Sequence, residues 1–385
     1  MPSGGRHRQL RAHTMLVAIA FAIEEGRPAH LAQGLRMLND LPAMTRRRLG
    51  VAVTRTGNLV DATYRQFSHT NRTMLSAIDP APVPTFNGVA EDGRAAHLAS
   101  VREVIDAVAK EERLQEVLDA LVEASVPERY KSMSRSLAVD WTDHETWSRP
   151  RAKDDPQPAN DPTASWGHAK RNAPGATDHL FFGYYGQVAT VVKEERAPSV
   201  PELVRAYGDD VAPGDVLCDC GYSNRDPETF ASPLRRAGAS LVMDLHPTDR
   251  GPRGTHEGAI VWNGNLYCPA DMRRTASERT FSWFKDPASA GIRPGWSRLF
   301  GRAPNALMYA LLAVVRNVRL VLAHEDREKD ATRRAAIRRS PFRSRRRRGA
   351  EPACNEPANG APDPTPGWLW RCPRPERQLE RRLFR

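Results

Sequence analysis

Three carboxylates have the types and spacing that divalent-metal chemistry on a phosphodiester would use. Asp140 ends the apolar run Ser136-Leu-Ala-Val-Asp140, and Asp219 ends the similar run Val216-Leu-Cys-Asp219. Both runs read as short buried strands, the second turning at Gly221. Glu278 lies in Arg274-Thr-Ala-Ser-Glu278-Arg-Thr-Phe-Ser-Trp-Phe-Lys285, which reads as a helix. Mg²⁺ takes oxygen ligands and is usually held by one or two carboxylates plus substrate phosphates. Two such ions about 3.5–4 Å apart activate an attacking oxygen and stabilise a leaving one. Carboxylates on neighbouring strand ends, with a third from a helix beside them, would meet that need. Each acid alone has a plainer reading, because a strand-ending Asp often only caps the next turn.

The surroundings of Glu278 add to the pattern. Arg274 precedes it by four positions and Lys285 follows by seven, so all three share one helix face. Two cations flanking a carboxylate would clamp phosphate. The plainer reading is an i,i+4 ion pair worth about 0.2–0.5 kcal/mol. Asp143 competes with Asp140 as the first carboxylate. Asp140 is preferred because it directly ends the apolar strand.

These residues need elements to hold them. Residues 13–79 read as short helices, with apolar spacing through Leu16–Phe21 and again at Leu31, Leu35, Leu38 and Leu41. The run Met15–Ile23 follows basic residues but lacks a small-x-small cleavage site, so a buried helix is expected. Arg46, Arg47 and Arg48 open a third helical segment, and short helices with basic turns suit a helix-turn-helix module on DNA. Solvated arginines on a helical cap are the bland alternative. Residues 80–130 read as a linker and a helical pair. Residues 131–325 read as a catalytic domain of α/β type, a mixed sheet flanked by helices. Within it, residues 178–192 read as a hairpin around Gly183 and Gly186, residues 201–207 as a short helix, and residues 303–323 as a helix. The apolar run Ala306–Leu322 contains Arg316 and Arg319, which argues against a membrane span.

The net charge is +11, but residues 331–385 hold 15 Arg against five acids. The basic character therefore belongs to the tail, and residues 326–385 are expected to be a disordered, Arg/Pro-rich segment. It reads either as a nucleic-acid-binding arm or as out-of-frame translation of a GC-rich gene, the second being favoured. Five cysteines without a framework spacing suit a reducing compartment.

Taken in order, the pieces resemble a bacterial family. Arg274-x3-Glu278-x6-Lys285 is similar to most of the Tyr-x2-Arg-x3-Glu-x6-Lys signature of insertion-sequence DDE transposases, with Asp271 where the signature has Tyr. Leu137-Ala-Val-Asp140-Trp-Thr142, Asp161-Pro-Thr-Ala-Ser-Trp-Gly167, Phe181-Phe-Gly-Tyr184, Val216–Ser223 and Ala313-Val-Val-Arg-Asn317-Val-Arg319 also resemble that group. The likeness covers roughly residues 13–325. It implies an RNase H-like core in which Asp140, Asp219 and Glu278 bind two Mg²⁺ (or Mn²⁺). Water would cut at a transposon end, and the freed 3′-hydroxyl would attack target DNA. Arg274 and Lys285 would touch phosphates of the end. The implied partner is double-stranded DNA, held by a dimer in the cytoplasm at the nucleoid, with no membrane. Asp219 and Glu278 are only 59 positions apart, where the family often carries a long insert, and the C-terminus resembles nothing in it. Both departures suit a truncated or decayed copy.

Rival readings are a non-catalytic DNA-binding protein derived from a transposase, and a nucleotide-cofactor-binding methyltransferase. The methyltransferase would use the turn after Val216–Cys220 and Asp244, but only Gly221 is available for close backbone approach. Zinc at Cys218, Cys220, Cys268 and His246 is the weaker reading beside buried free thiols. His144, His168 and His179 read as surface or loop residues rather than proton shuttles.

Overall fold

The computed structural model describes residues 10–51, 58–131, 134–152, 154–169, 179–193, 201–206, 214–219, 222, 228, 230–243, 253–256, 259–262, 265–267, 275–292 and 298–339. The chain divides into two units, Met1–Val318 and Arg319–Arg385.

The first unit begins with helices. In α1 (Ala12–Glu24), eleven of 13 residues are buried, as its unbroken apolar run requires. Gly26, at φ 71°, ends the turn that follows. Then come α2 (Leu31–Asp40), α3 (Ala43–Arg48) and α4 (Tyr64–Ile78). Helices α1 and α2 meet closely at Gly34, where a Cβ would lie 2.7 Å from Ile19 Cγ1. Thr63 and Gln66 form a reciprocal capping box at the start of α4. Asn39 accepts from the Ala62 N–H at 2.9 Å and donates to its carbonyl at 3.0 Å, which fixes the entry to that helix. The expected helical pair is α5 (Arg94–Glu103) and α6 (Ala107–Ala124), followed by the single turn α7 (Glu128–Lys131).

The sheet comes next. Its strands are β1 (Leu137–Glu145), β2 (Ser165–Ala169), β3 (His179–Val191), β4 (Val204–Arg205), β5 (Asp215–Cys218) and β6 (Ser240–Val242), with α8 (Ala231–Arg236) between the last two. The order is β2-β3-β1-β5-β6, and β4 also pairs with β3. Strand β1 is antiparallel to β3 from Leu137↔Val191 to Glu145↔Gly183. On its other side it is parallel to β5, through Leu137↔Val216, Ala138↔Leu217 and Val139↔Cys218. Strands β5 and β6 are parallel too.

Alternation along the strands makes two cores. Val139, Val216, Cys218, Leu241 and Met243 pack with Ala231 of α8 on one face. Ala138, Leu217, Val242 and Val192 pack with Ala276 on the other. Ala276 belongs to α9 (Thr275–Lys285), which follows a three-stranded antiparallel sheet of β7 (Arg253–His256), β8 (Ala259–Trp262) and β9 (Asn265–Tyr267). The chain is thus a mixed α/β fold with helices on both sheet faces.

Helix α10 (Arg302–Arg339) begins in the first unit, where Leu307, Met308, Leu311, Leu312 and Val315 are buried. Its span Arg302–Ala335 is the one segment among the described residues long and apolar enough to cross a membrane. Asn317, fully buried, accepts from the Val204 N–H at 2.7 Å and donates to the Val204 carbonyl and the Ser125 hydroxyl, each at 2.8 Å.

Three expectations change. Residues 179–191 form one continuous strand and not a hairpin, because the two glycines serve close contacts instead of a turn. A Cβ at Gly183 would sit 2.0 Å from the His144 carbonyl oxygen, and one at Gly186 would sit 2.8 Å from the Tyr309 ring. Residues 204–205 form β4, not part of a helix, because β3 and the Asn317 amide take their backbone groups. In the second unit, residues 326–339 are helical where irregular chain was expected. Side-chain pairs three and four apart support that turn: Lys329 lies 3.3 Å from Asp326 and His324 lies 3.4 Å from Glu328. The rest of the expected disordered tail, 340–385, lies outside the described residues.

The Gly183 contact yields a test. Gly183→Ala must push backbone against backbone, so it should lower stability by about 1–3 kcal/mol or more. Gly93→Ala, whose Cβ would meet only Val89 at 3.7 Å, should leave the melting temperature unchanged. Equal melting temperatures for both variants would show that β3 does not approach β1 this closely.

Candidate active site

The register between β1 and β5 brings two of the three acids together. The last pair is Val139↔Cys218, and the next residue on each strand is a carboxylate, Asp140 and Asp219. Neighbouring strands lie about 4.8 Å apart. Asp140 stands two residues past Ala138, and Asp219 two past Leu217. Both reference residues pack on Ala276 of α9, so both acids belong to the α9 face. Cys218, between them in phase, is buried on the opposite face, as expected for that thiol. Burial pushes the Cys218 thiol up to about 12, and the charges of Asp140 and then Asp219 push the same way. Asp140 Oδ1 also accepts the Trp141 N–H at 2.8 Å.

Helix α9 runs beside β1. Its buried side is Ala276, Ser277, Thr280, Phe281 and Phe284. The Thr280 and Thr190 hydroxyls meet at 3.0 Å, locking it to β3. One flank carries Arg279, bound to both Glu202 oxygens at 2.7 Å. The other carries Glu278 and Lys285. Lys285 Nζ lies 2.7 Å from Asp143 Oδ1. Glu278 precedes Lys285 by about 10.5 Å of helix, and Asp140 precedes Asp143 by about 10 Å of strand. Glu278 is therefore level with Asp140, on the flank Lys285 uses to reach β1. Its side chain is exposed. Among the described residues no three His, Cys, Asp or Glu side chains gather closely enough to hold a metal ion. The structure thus joins Asp140 to Asp219 and leaves the Glu278 side chain apart from them.

The other sequence candidates fare differently. Arg274 lies outside the described residues, as do Cys220, Asp244, His246 and Cys268. Asp143, the rival first carboxylate, is engaged by Lys285. Arg47 and Arg48 are exposed. Arg46 is only 8% exposed, and its guanidinium reaches Asp61 at 2.7 Å and the Val60 carbonyl at 3.3 Å. It braces the loop before α4 and is not at the surface for DNA.

His144 was expected at the surface and is 2% exposed. Tyr309 meets it edge-on at 5.6 Å, because β1 passes under α10 there. His144 Nε2 and Asn305 Oδ1 are both buried without a hydrogen-bond partner. Burial lowers the imidazole pKa, with the Asn305 side chain and Asp143 opposing that shift. Sequence reasoning also missed the role of Asp161, which is fully buried. It accepts from the Thr163 N–H at 3.2 Å, the Tyr184 hydroxyl at 2.6 Å and the Gly301 N–H at 3.0 Å. Only the first of these, a local Asp turn, has a sequence signal.

A cavity of about 530 Å³ opens beside β3, walled by Asp119, Tyr184, Gln187, Arg302 and Tyr309 among others. Neither Asp140, Asp219 nor Glu278 lines it. Asp219 follows the end of β5, but Asp140, expected to end its strand, lies within β1, which runs on to Glu145 because β3 continues to pair with it.

Comparisons of the chain with protein-family models, with curated proteins and with solved structures find no match.

The buried imidazole sets a pH dependence. The folded chain disfavours protonated His144, so the unfolded chain takes up that proton first, near the ordinary value of about 6.5. Stability from this group is complete above that pH and declines as pH falls below it. Melting curves from pH 7.5 to 5 should fall less steeply for His144→Gln than for the parent. Parallel slopes would show that His144 is not held neutral.

Proposed function

We propose that this chain is a DDE-type DNA transposase of the insertion-sequence kind, or a decayed copy of one. It would cut transposon ends and join them to target DNA through an RNase H-like core. The observation that carries the reading is the in-register pair Asp140–Asp219 on adjacent parallel strands, under a helix that bears Glu278 at the same level. The sheet order supports it. Antiparallel strands β2-β3-β1, with β4 also on β3, continue into two parallel ones, β5-β6, with the acids at the junction.

The donor set suits a hard cation, since two carboxylates on adjoining strands offer the oxygen ligands that Mg²⁺ or Mn²⁺ takes. Asp140 and Asp219 would hold it; Glu278, the third acid that the resemblance implies, stands apart from them on α9. When bound, it would supply Lewis-acid activation of the attacking oxygen and charge neutralisation at the leaving one. The chain's own residues do the positioning. Trp141 N–H orients the Asp140 carboxylate. Lys285, paired with Asp143, ties the end of α9 to β1 and keeps a cation where a phosphate would approach. The Thr190–Thr280 contact fixes the helix that presents Glu278.

Cleavage decides the matter. A plasmid carrying the DNA that flanks this gene should be nicked in the presence of Mn²⁺ or Mg²⁺. Asp219→Asn should lower that rate by about 100-fold or more, the scale of losing one pre-organised charge-stabilising group. Asp215→Asn, on the same strand, should not. Duplex binding with no cleavage by the parent would favour the non-catalytic DNA-binding reading, and loss in neither variant would sink the acid assignment.

A further inference from the structure

Strand β3 pairs with β1 along one edge, from Gly183 to Val191. Its other edge is shared by two short strands. There β2 pairs as far as Gly183, and β4 begins at Ala189. Among the described residues, no strand lies on that side of residues 184–188. At about 3.3 Å per residue the gap is about 17 Å long.

Backbone groups of an antiparallel strand point alternately to its two neighbours. The Phe182 carbonyl accepts from the Thr146 N–H, just past β1, at 3.0 Å. The Val191 N–H instead donates to the Leu203 carbonyl, just before β4, at 2.8 Å. Even-numbered residues of β3 therefore face β1, and odd-numbered ones face the other edge. In the gap the odd residues are Tyr185 and Gln187. Among the described residues, nothing bonds to the N–H or carbonyl of either. Their side chains are engaged elsewhere. The Tyr185 hydroxyl bonds the His168 N–H and carbonyl on β2, each at 3.0 Å. Gln187 Nε2 donates to the Tyr222 hydroxyl at 3.0 Å.

The same stretch walls the cavity of about 530 Å³, a size within the range of about 300–1,000 Å³ for ligand clefts. Leu118, Asp119 and Val122 of α6 wall it too. The two arginines that line it are neutralised, Arg205 by Glu123 and Arg302 by Glu111. Asp119 has no cation partner among the described residues. Its carboxylate accepts from Gln115 at 2.8 Å. Burial raises its pKa, with Gln115 opposing that shift and Glu123 adding to it.

We propose that this gap takes a short extended peptide of a partner protein, which pairs with Tyr185 and Gln187 as an added strand and sets a Lys or Arg against Asp119. An unpaired edge is a template for another strand. Here β2 and β4 already lie along the edge, so the added strand continues their line. Donors and acceptors repeating every second residue match a peptide backbone better than they match a small molecule. The lone carboxylate selects a basic side chain, and Leu118 and Val122 select apolar ones. This goes beyond the transposase reading and does not depend on it.

Hydrogen exchange resolved to single amides tests this, with a synthetic heptapeptide of alternating valine and lysine as the probe. In the free chain the Tyr185 and Gln187 amides should exchange at least about tenfold faster than those of Gly186 and Val188. Saturating peptide should slow both by about tenfold or more. Methylating alternate peptide nitrogens should abolish binding for one of the two alternate sets and spare the other. By anisotropy, Asp119→Lys should weaken binding about tenfold or more, a loss of about 1.4 kcal/mol. Glu116→Lys makes the same charge change at an exposed position of α6 that does not line the cavity, and its affinity should match the parent's. Asp219→Asn should also bind as the parent does, so a failed nuclease and a failed peptide site give different results. If Asp119→Lys melts early, Asp119→Asn replaces it, and unchanged affinity there overturns the charge assignment. Absence of binding up to about 1 mM peptide overturns the inference. So does binding that leaves both amides unprotected. Protection that grows with the concentration of the chain alone would assign the gap to a second copy and overturn the choice of partner.

Discussion

Strand β1 is hydrogen-bonded on both sides, and the directions differ. Toward β3 the pairing is antiparallel, and toward β5 it is parallel. A slip of one residue on either side would send every side chain of β1 to the wrong face. Val139 would leave the α8 core and Ala138 the α9 core. The same register that satisfies those two cores sets Asp140 level with Asp219. The juxtaposition of the acids is therefore a by-product of packing, enforced by Val139, Val216 and Cys218 on one face and Ala138 and Leu217 on the other. No separate device is required to hold the two carboxylates near each other.

The far end of β1 is held by a different kind of interaction. Asp161 has no exposed surface, yet a buried carboxylate is costly unless its oxygens are well supplied with donors. Thr163, Tyr184 and Gly301 supply them. These donors come from the loop after β1, from β3 and from the residue before α10. One side chain thus joins three elements distant in sequence. Burial, and then the hydrogen bond to Asp161, push the Tyr184 hydroxyl pKa upward. That phenol remains protonated and donating across the ordinary pH range.

Much of the architecture was legible because it rests on local pattern. The unbroken apolar run of α1, the helical spacing of α6 and the acid-terminated runs of β1 and β5 each announce themselves within about ten residues. What was misread depends on partners far along the chain. Gly183 and Gly186 look like turn residues, and nothing local says that a carbonyl of β1 and a ring of α10 fill the space a Cβ would take. Arg46 looks like its neighbours Arg47 and Arg48, and only the fold turns it inward to Asp61. His144 looks like a polar residue at a strand end until α10 lies across it. The pairing of Asp140 with Asp219 was inferred from strand endings; the register supplies it, yet β1 runs on past Asp140 to Glu145, because its pairing with β3 outlasts the apolar run. The position of Glu278 follows from α9, yet its exposed side chain stands off from the other two.

Strand β4 is two residues long, too short to be stable by its own pairing. Asn317 makes up the difference by presenting an amide that mimics one more peptide unit to Val204, so a helix side chain serves as the outer neighbour of the sheet edge. The border of the sheet is therefore written more than a hundred residues downstream. Until α10 has been synthesised, the outer side of β4 lacks that neighbour, although β3 and Glu123 already hold its residues.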